Sequence, residues 1–409
     1  MHYEKRRMYT LDEQRLKTIN DFLTAFSIPK IPDSTNFWMI RTKGGYFYDE
    51  FLSNSFIALG WNIIDSKTSF DKGNEQILKE SITDYYGDKR PGSALNKCKR
   101  FINELQVGDF VLVPNDGTSE IAICRVGEYY EADFGYDQEE EINKIIETKS
   151  EPIDAVRCPY KKRRQVEVLL KIAASKMGPG LIKAISNYHG LSNLTDYDTE
   201  ILNCLYNAYE YKENVTYVVN IATNNRIKAR DYSGFIYAVT DLFCEIVSDE
   251  DAVSIKSNVS SPGRVVVILQ KGFNIIKKKA LPLLAIYFMA FGGSGFGFEF
   301  DGAVKTVIEC VKEWQMMPIE KAKEEEELKA QKIENYQKLL ELSEACGDKD
   351  LDIDTISEQL ERLEKVEKSL DFESSEDFAK ESSTEQVEES VNTESVDNSC
   401  TEEKTKADP

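Results

Sequence analysis

Apolar residues in the first third of the chain come in short runs separated by turn residues, a pattern typical of β-strands. One run is 37–40, FWMI, and the next is 56–59, FIAL. A Gly-Gly pair at 44–45 supplies the positive φ that a tight turn between the two runs needs. Two of the three tryptophans, Trp38 and Trp61, bracket this stretch, and further aromatic residues lie between them. Such a concentration suits either a base-stacking pocket or an ordinary barrel core.

A β-hairpin is predicted over 110–126, where two apolar runs flank a Pro-Asn-Asp-Gly turn. Helices are predicted where apolar residues recur at steps of three and four. The predicted helices are 10–26 with a Thr10/Glu13 capping box, 75–86, 93–105, 181–189 and 196–209. The acidic stretch 137–150 is expected to be a surface loop or a short helix.

Residues 213–317 form a second predicted unit, with a strand at 215–222, a helix at 233–246 and two strand-like runs within 254–269. Its most apolar stretch, 280–298, carries no charge, but a Gly-Gly-Ser-Gly cluster interrupts it. Because a membrane helix needs about 20 apolar residues, we interpret this stretch as a buried helix and a glycine turn. A membrane-touching segment is the alternative.

The composition changes at residue 320. The segment 320–370 is charged and helical in pattern, and its last part has apolar residues at the steps of a coiled coil, which is compatible with a weak dimer contact. Residues 371–409 are rich in Glu, Ser and Thr and are expected to be a disordered acidic tail. At the other end, residues 1–33 hold the predicted N-terminal helix.

The formal net charge of −21 is concentrated in the C-terminal part. Residues 320–409 hold 12 Lys+Arg and 29 Asp+Glu, a balance of −17, which leaves −4 for the other 319 residues. The acidic pI therefore does not exclude nucleic-acid binding, since a local basic cluster sets the field at a groove. Eight scattered cysteines and two histidines predict no zinc site, and they predict reduced thiols in a cytoplasmic protein. The first residues lack the apolar core of a signal peptide.

The sequence has no Walker A motif, no serine-hydrolase elbow and no recognisable nuclease core. A restriction-type nuclease needs an Asp and a Glu-x-Lys pair on adjacent strand positions, which hold Mg²⁺ beside the attacked phosphate. The charged residues of the second unit do not have this spacing: Asp241, Glu245, Asp251, Lys256, Glu299 and Asp301. We therefore predict no catalytic residue, no metal site and no cofactor.

The order of features over residues 34–210 resembles the PUA-like EVE domain, in the form found at the N-terminus of Mrr-type restriction proteins. The matching pieces are FWMIRTKGG, FLSNSFIALGW, NKCKRFINELQVGDFVLVP, IAICRVGEYYEAD, YKKRRQVEVLLKI and MGPGLIKAISNYHGL. The resemblance implies an N-terminal twisted β-barrel with flanking helices. Together with the smaller α/β unit predicted over 213–317, the expected fold class is α+β. The resemblance also implies nucleic-acid recognition, often by a pocket that accepts a flipped modified base. At VEVLLKI this sequence lacks the Trp that the family tends to have.

The resemblance implies roles for individual residues. Trp38 and Trp61 would border the pocket and stack on a base, while Asn96 would lie at the base edge. The residues that would contact phosphates are Arg41, Arg100, Lys161, Lys162, Arg163 and Arg164. Asp109, in a Gly-Asp turn, is expected to be structural. From the residues alone it stays open whether Trp38 is core and the KKRR run only a solvated face.

We therefore predict a non-catalytic nucleic-acid reader that recognises modified bases in bacterial restriction or antiviral defence. Its expected partner is DNA, with RNA as the alternative, together with a separate effector protein and a second copy bound through the C-terminal helices. One alternative function is a divergent metal-dependent endonuclease with its active site in 213–317. The other is a membrane-acting defence effector that uses 280–298.

Overall fold

A computed structural model of the chain describes residues 29–152, 155–187, 190–223, 225–247, 253–258 and 263–269, with short pieces between 358 and 379. The predicted helix over 10–26, the apolar stretch 280–298, the segment 320–357 and the acidic residues 380–409 lie outside the described residues. The described part is a mixed α+β structure built on two sheets.

The first sheet has six strands: β1 (Phe37–Ile40), β2 (Phe56–Leu59), β3 (Phe110–Pro114), β4 (Glu120–Glu131), β5 (Lys162–Ala173) and β6 (Leu191–Asn193). Their order in the sheet is β2-β5-β4-β3-β1-β6, and the sheet curls into a half-barrel. β1 and β3 run parallel, while the other neighbours run antiparallel. β2 and β6 are therefore the two edges of the half-barrel.

β1, β2 and β3 are buried on both faces, which explains why these strands are continuous apolar runs. All four residues of β1 are buried. Because side chains alternate along a strand, Trp38 and Ile40 enter one apolar core, which also contains Phe47 and Phe51. Phe37 and the other alternate residue of β1 enter a second core on the opposite face.

Seven helices lie among the described residues: α1 (Tyr48–Ser53), α2 (Glu75–Tyr86), α3 (Pro91–Lys99), α4 (Tyr136–Thr148), α5 (Pro179–Asn187), α6 (Asp198–Leu205) and α7 (Ala229–Val247). The prediction for α2 is confirmed residue for residue. α3 begins at Pro91 rather than at 93, because proline suits the first helical position. A π-helical turn, Arg100–Glu104, extends α3.

The second sheet contains β7 (Ala208–Tyr211), β8 (Asn214–Ile221), β9 (Val253–Asn258), β10 (Gly263–Leu269) and β11 (Phe372–Glu373). β10 lies between β8 and β9, while β7 and β11 pair with opposite ends of β8. The β7–β8 hairpin crosses the predicted boundary between 210 and 213. Tyr209, Tyr211 and Val218 join the second core of the half-barrel, so the two sheets share that core.

The described pieces between 358 and 379, which we call the C-terminal strap, pack on the second sheet. Leu363, Val366 and Leu370 are buried, so this part of the predicted coiled-coil stripe packs within its own chain. Within the predicted acidic tail, the structure describes only Phe372, Glu373, Phe378 and Ala379. Phe378 is 2% exposed, and its ring lies 4.7 Å from Lys176 Nζ and 5.0 Å from the Arg264 guanidinium.

Candidate nucleic-acid interface

Lys97 of α3 reaches both edges of the half-barrel. Its Nζ lies 5.7 Å from the centroid of the Trp61 ring, which follows edge strand β2. On the other side, a Cβ placed on Gly190, just before edge strand β6, would lie 3.0 Å from the same Nζ. We call the surface formed by Trp61, Lys97 and Gly190 the seam. α3 therefore lies between the two unpaired edges of the curled sheet.

Trp61 has a left-handed backbone, with a φ of 61°, and its side chain is partly exposed. An L-residue pays about 1–2 kcal/mol for this conformation. The indole is fixed as well, because its Nε1 donates a hydrogen bond of 3.0 Å to Asp88. Trp61 is therefore the one predicted stacking residue that the structure presents at a surface.

A buried carboxylate holds the backbone around Trp61. Glu139 of α4 is 2% exposed and accepts the Trp61 N–H at 2.7 Å and the Asn62 N–H at 2.7 Å. The Tyr86 hydroxyl donates to the same carboxylate at 2.8 Å, which together with burial raises the Tyr86 pKa. A Cβ at Gly60 would lie 2.6 Å from Glu139 Oε1, so this approach requires glycine.

A buried ammonium holds the carbonyls of the same segment. Lys162 is 0% exposed, and its Nζ donates to the Trp61 and Ile64 carbonyls, each at 2.8 Å. Burial lowers the Lys162 pKa, and the negative charge of Glu139 opposes that shift in part. Glu139 and Lys162 thus fix the peptide groups around Trp61 from both the donor and the acceptor side.

The structure corrects the expectation that Lys162 and Arg164 are exposed phosphate ligands. Both side chains point inward, because alternate residues of β5 face the core. Arg164 is 5% exposed and donates to the Phe101 and Ile102 carbonyls, each at 3.2 Å. These carbonyls belong to the π-helical turn after α3, so Arg164 satisfies polar groups that the helix leaves without helical partners. Burial lowers its pKa.

The other two cations of the run also bind groups of the same chain. Lys161 bonds Asp65 at 2.8 Å and lies 3.6 Å from Glu131; the hydrogen bond to Asp65 is the main cause of its raised pKa. The Arg163 guanidinium stacks on Phe56 at 4.2 Å and donates to the Cys158 carbonyl at 2.8 Å. The run is therefore neither an open phosphate site nor a solvated face.

Trp38 is a core residue, and the structure does not bring it to the seam. Its ring is 2% exposed, and its Nε1 donates to Asp109 Oδ2 at 2.9 Å. Asp109 also accepts the Asn36 N–H at 2.9 Å and the Gln106 N–H at 3.0 Å. The structural role predicted for Asp109 is confirmed, and base stacking by Trp38 is not supported by its burial.

The remaining predicted contacts lie in two different places. Arg41 follows β1 and donates to Thr118 Oγ1 at 2.9 Å and to the Ile185 carbonyl; burial lowers its pKa. Asn96 and Arg100 are exposed on α3 and the turn after it, on the same helix as Lys97. Asn96 and Arg100 therefore share a helix and its following turn with the seam residue Lys97, while the backbone N–H of Arg41 donates to the carbonyl of the seam residue Gly190 at 3.1 Å.

Glu139 is the residue that sequence reasoning missed. It lies in the stretch predicted to be an acidic surface loop or a short helix, which is the helix α4. The missed signal is the spacing of Glu139, Ile142 and Ile146, at steps of three and four, which places the carboxylate on the apolar face of a helix.

The residues considered for the alternative functions are only partly described by the structure. Asp241 and Glu245 lie on α7 and Lys256 lies on β9, while Asp251 and the segment 280–298 are outside the described residues. Among the residues that the structure describes, no group of three or more His, Cys, Asp and Glu could hold a metal ion. Within those same residues, every helix is too short or too polar to cross a bilayer.

A family model described as a domain of unknown function, DUF8426, matches residues 38–173. The match runs from β1 to the end of β5, about a third of the chain, and includes Trp61, Glu139 and Lys162. No curated protein and no solved structure matches the chain.

Proposed function

We propose that this chain is a nucleic-acid reader that recognises a modified base at the seam, with Trp61 as the stacking residue. DNA is the proposed partner, and bacterial restriction or antiviral defence is the proposed setting. A separate effector protein would act on the nucleic acid once it is bound. The resemblance to EVE domains is the basis for the modified base and for the defence setting.

The observation that carries the proposal is the backbone of Trp61. A bulky aromatic residue occupies a left-handed conformation that glycine would adopt without cost. Two buried charges, Glu139 and Lys162, hold it there, and such strain concentrates at functional sites. The indole is thus oriented before any ligand arrives. Stacking of a base on such a ring contributes about 1–3 kcal/mol.

Asn96 and Arg100 supply exposed polar groups on the helix that carries Lys97, and on the turn that follows it. An exposed amide both donates and accepts, which suits the edge of a base. Arg100 pairs with Glu104 at 3.7 Å, and both side chains are about half exposed, so the pair is weak and a phosphate can replace the carboxylate. Stacking, base-edge contact and phosphate contact then come from one helix and the segment beside it.

The test is binding of the full chain to matched duplexes with and without a modified cytosine or adenine. The wild type should prefer one modification, and Trp61→Ala should remove that preference. Tyr237→Ala, which truncates a 53% exposed aromatic residue of α7, is the matched control and should leave the preference unchanged. Equal binding of all duplexes by the wild type, or a preference that survives Trp61→Ala, would contradict the proposal.

A further inference from the structure

Residues 89–100, KRPGSALNKCKR, hold five cations and no acidic residue. Lys97 is partly exposed at the seam, and the other four are exposed: Lys89, Arg90, Lys99 and Arg100. We call these five residues the basic ridge. We propose that the basic ridge binds the sugar-phosphate backbone of the nucleic acid whose base is read at Trp61. This inference rests on the proposed function and assigns the phosphate contacts that β5 does not supply.

The geometry of α3 leaves the ridge open. Ala94, Leu95 and Cys98 are buried, and they fix one face of the helix against the core. At 100° per residue, the opposite face carries Asn96 and Arg100, with Lys99 at its border. Only small residues, Gly92 and Ser93, lie on this face between Arg90 and Asn96. A polymer lying along α3 therefore meets cations at both ends, with the side chain of Lys79 from α2 beside Gly92.

The length of the ridge suits several phosphates. The nine residues of α3 rise about 13 Å at 1.5 Å each. A strand of duplex DNA rises about 3.4 Å per nucleotide along the axis. Arg90 before the helix and Arg100 after it are therefore about four nucleotides apart along such a strand.

The cations of the ridge are less tightly paired than those of the KKRR run of β5. Lys99 lies near Glu75 of α2, but the hydrogen bond of that carboxylate comes from Lys79. Asp88, the nearest acidic residue before the ridge, accepts the indole N–H of Trp61. Glu104, the next one after it, lies on the turn that follows α3 and forms an exposed pair with Arg100. An exposed pair contributes little to stability, so a phosphate can compete for Arg100. The chemistry that complements this surface is a polyanion with regularly spaced charges.

The test compares two variants of the full chain that lose the same charge. The ridge variant is Lys89→Gln, Arg90→Gln, Lys99→Gln and Arg100→Gln, and the control variant is Lys144→Gln, Lys149→Gln, Lys171→Gln and Lys183→Gln, all at exposed positions. Binding of a labelled duplex of about 20 base pairs is measured between about 50 and 200 mM salt. The slope of log affinity against log salt should become shallower by about 3–4 in the ridge variant and should not change in the control.

A smaller variant, Lys89→Gln with Arg90→Gln, lies outside the helix and covers the case in which the fourfold variant fails to fold. Its slope should change by about 2. An unchanged slope, in a chain whose modification preference still depends on Trp61, would overturn the ridge and leave the reader intact. No binding of any oligonucleotide by the wild type would overturn both. Binding of a peptide of sequence 380–409 in place of oligonucleotides would also overturn the ridge as a nucleic-acid site.

Discussion

Replacing Glu139 by glutamine exchanges one carboxylate oxygen for an NH₂ group in a site where three groups donate to the carboxylate. Oε1 accepts the Trp61 N–H, while Oε2 accepts the Asn62 N–H and the Tyr86 hydroxyl. In Glu139→Gln, the two hydrogen bonds made at Oε2 are kept if the glutamine side-chain oxygen takes the position of Oε2. The Trp61 N–H then faces another donor and has no partner.

The magnitude follows from these three bonds. A buried donor left without a partner costs about 1–3 kcal/mol. The two remaining bonds lose their charge assistance, which costs about 0.5–1 kcal/mol each. We expect Glu139→Gln to lower the free energy of opening the seam by about 3 kcal/mol, which corresponds to a rise of about a hundredfold in the open population.

Cys98 is a built-in reporter for this opening. Cys98 is buried beneath the segment that carries Trp61, with its Sγ 4.0 Å from the Gly60 carbonyl. Burial raises the pKa of its thiol to about 11. Alkylation of Cys98 in the native protein therefore requires opening, and its rate follows the open population when reclosing is fast. Peptide mapping by mass spectrometry measures that rate for each cysteine separately.

Glu141→Gln is the matched control, because it makes the same change at an exposed position of α4. It should leave the Cys98 rate unchanged. Cys124, buried in β4, is the internal control for global unfolding. A Cys98 rate within twofold of the wild type in Glu139→Gln would refute the reasoning. So would an equal rise for Cys98 and Cys124, since the effect would then be global.

Three further predictions concern Trp38, Lys162 and Phe378. Trp38→Phe removes the hydrogen bond to Asp109 and should lower the free energy of unfolding in urea by about 1–3 kcal/mol without changing nucleic-acid affinity. A folded variant that has lost affinity would show that Trp38 takes part in binding. Because the folded Lys162 pKa lies below 10.5, the unfolded state binds more protons between the folded pKa and 10.5. The stability of the wild type relative to Lys162→Met should therefore rise as the pH is raised towards 10.5, and a fall would contradict the cause given for the shift. Phe378→Ala should lower the free energy of unfolding by about 3 kcal/mol and speed proteolysis of the C-terminal strap. A variant as resistant to protease as the wild type would show that the strap contributes little to stability.

Much of the fold follows from short-range patterns. The strands β1 to β4 appear in the sequence as apolar runs, and the helix α2 appears as apolar residues at helical steps. Such patterns indicate that a residue is buried, but they do not indicate which residues it packs against. The same four residues of β1 therefore suit a pocket wall and a two-sided core equally well, and only the second is observed for Trp38.

The candidate site depends on contacts between residues far apart in sequence. Lys162 reaches back about a hundred positions to the Trp61 carbonyl, and Glu139 reaches back to the Trp61 N–H. A run of four cations normally indicates a surface. Here the side chains of β5 alternate between its two faces, so two of the four cations point into the core. This outcome depends on the strands that flank β5. The exposed cations of the ridge were visible in the sequence as a segment without acidic residues.

The central claim is that the Trp61 ring stacks on a base, and its own fluorescence tests this most directly. With Trp38→Phe and Trp314→Phe, Trp61 is the only tryptophan of the chain. Titration with the preferred oligonucleotide should quench its emission, with the same midpoint as binding measured by anisotropy of a labelled strand. Binding seen by anisotropy without any change in the emission of Trp61 would contradict the claim.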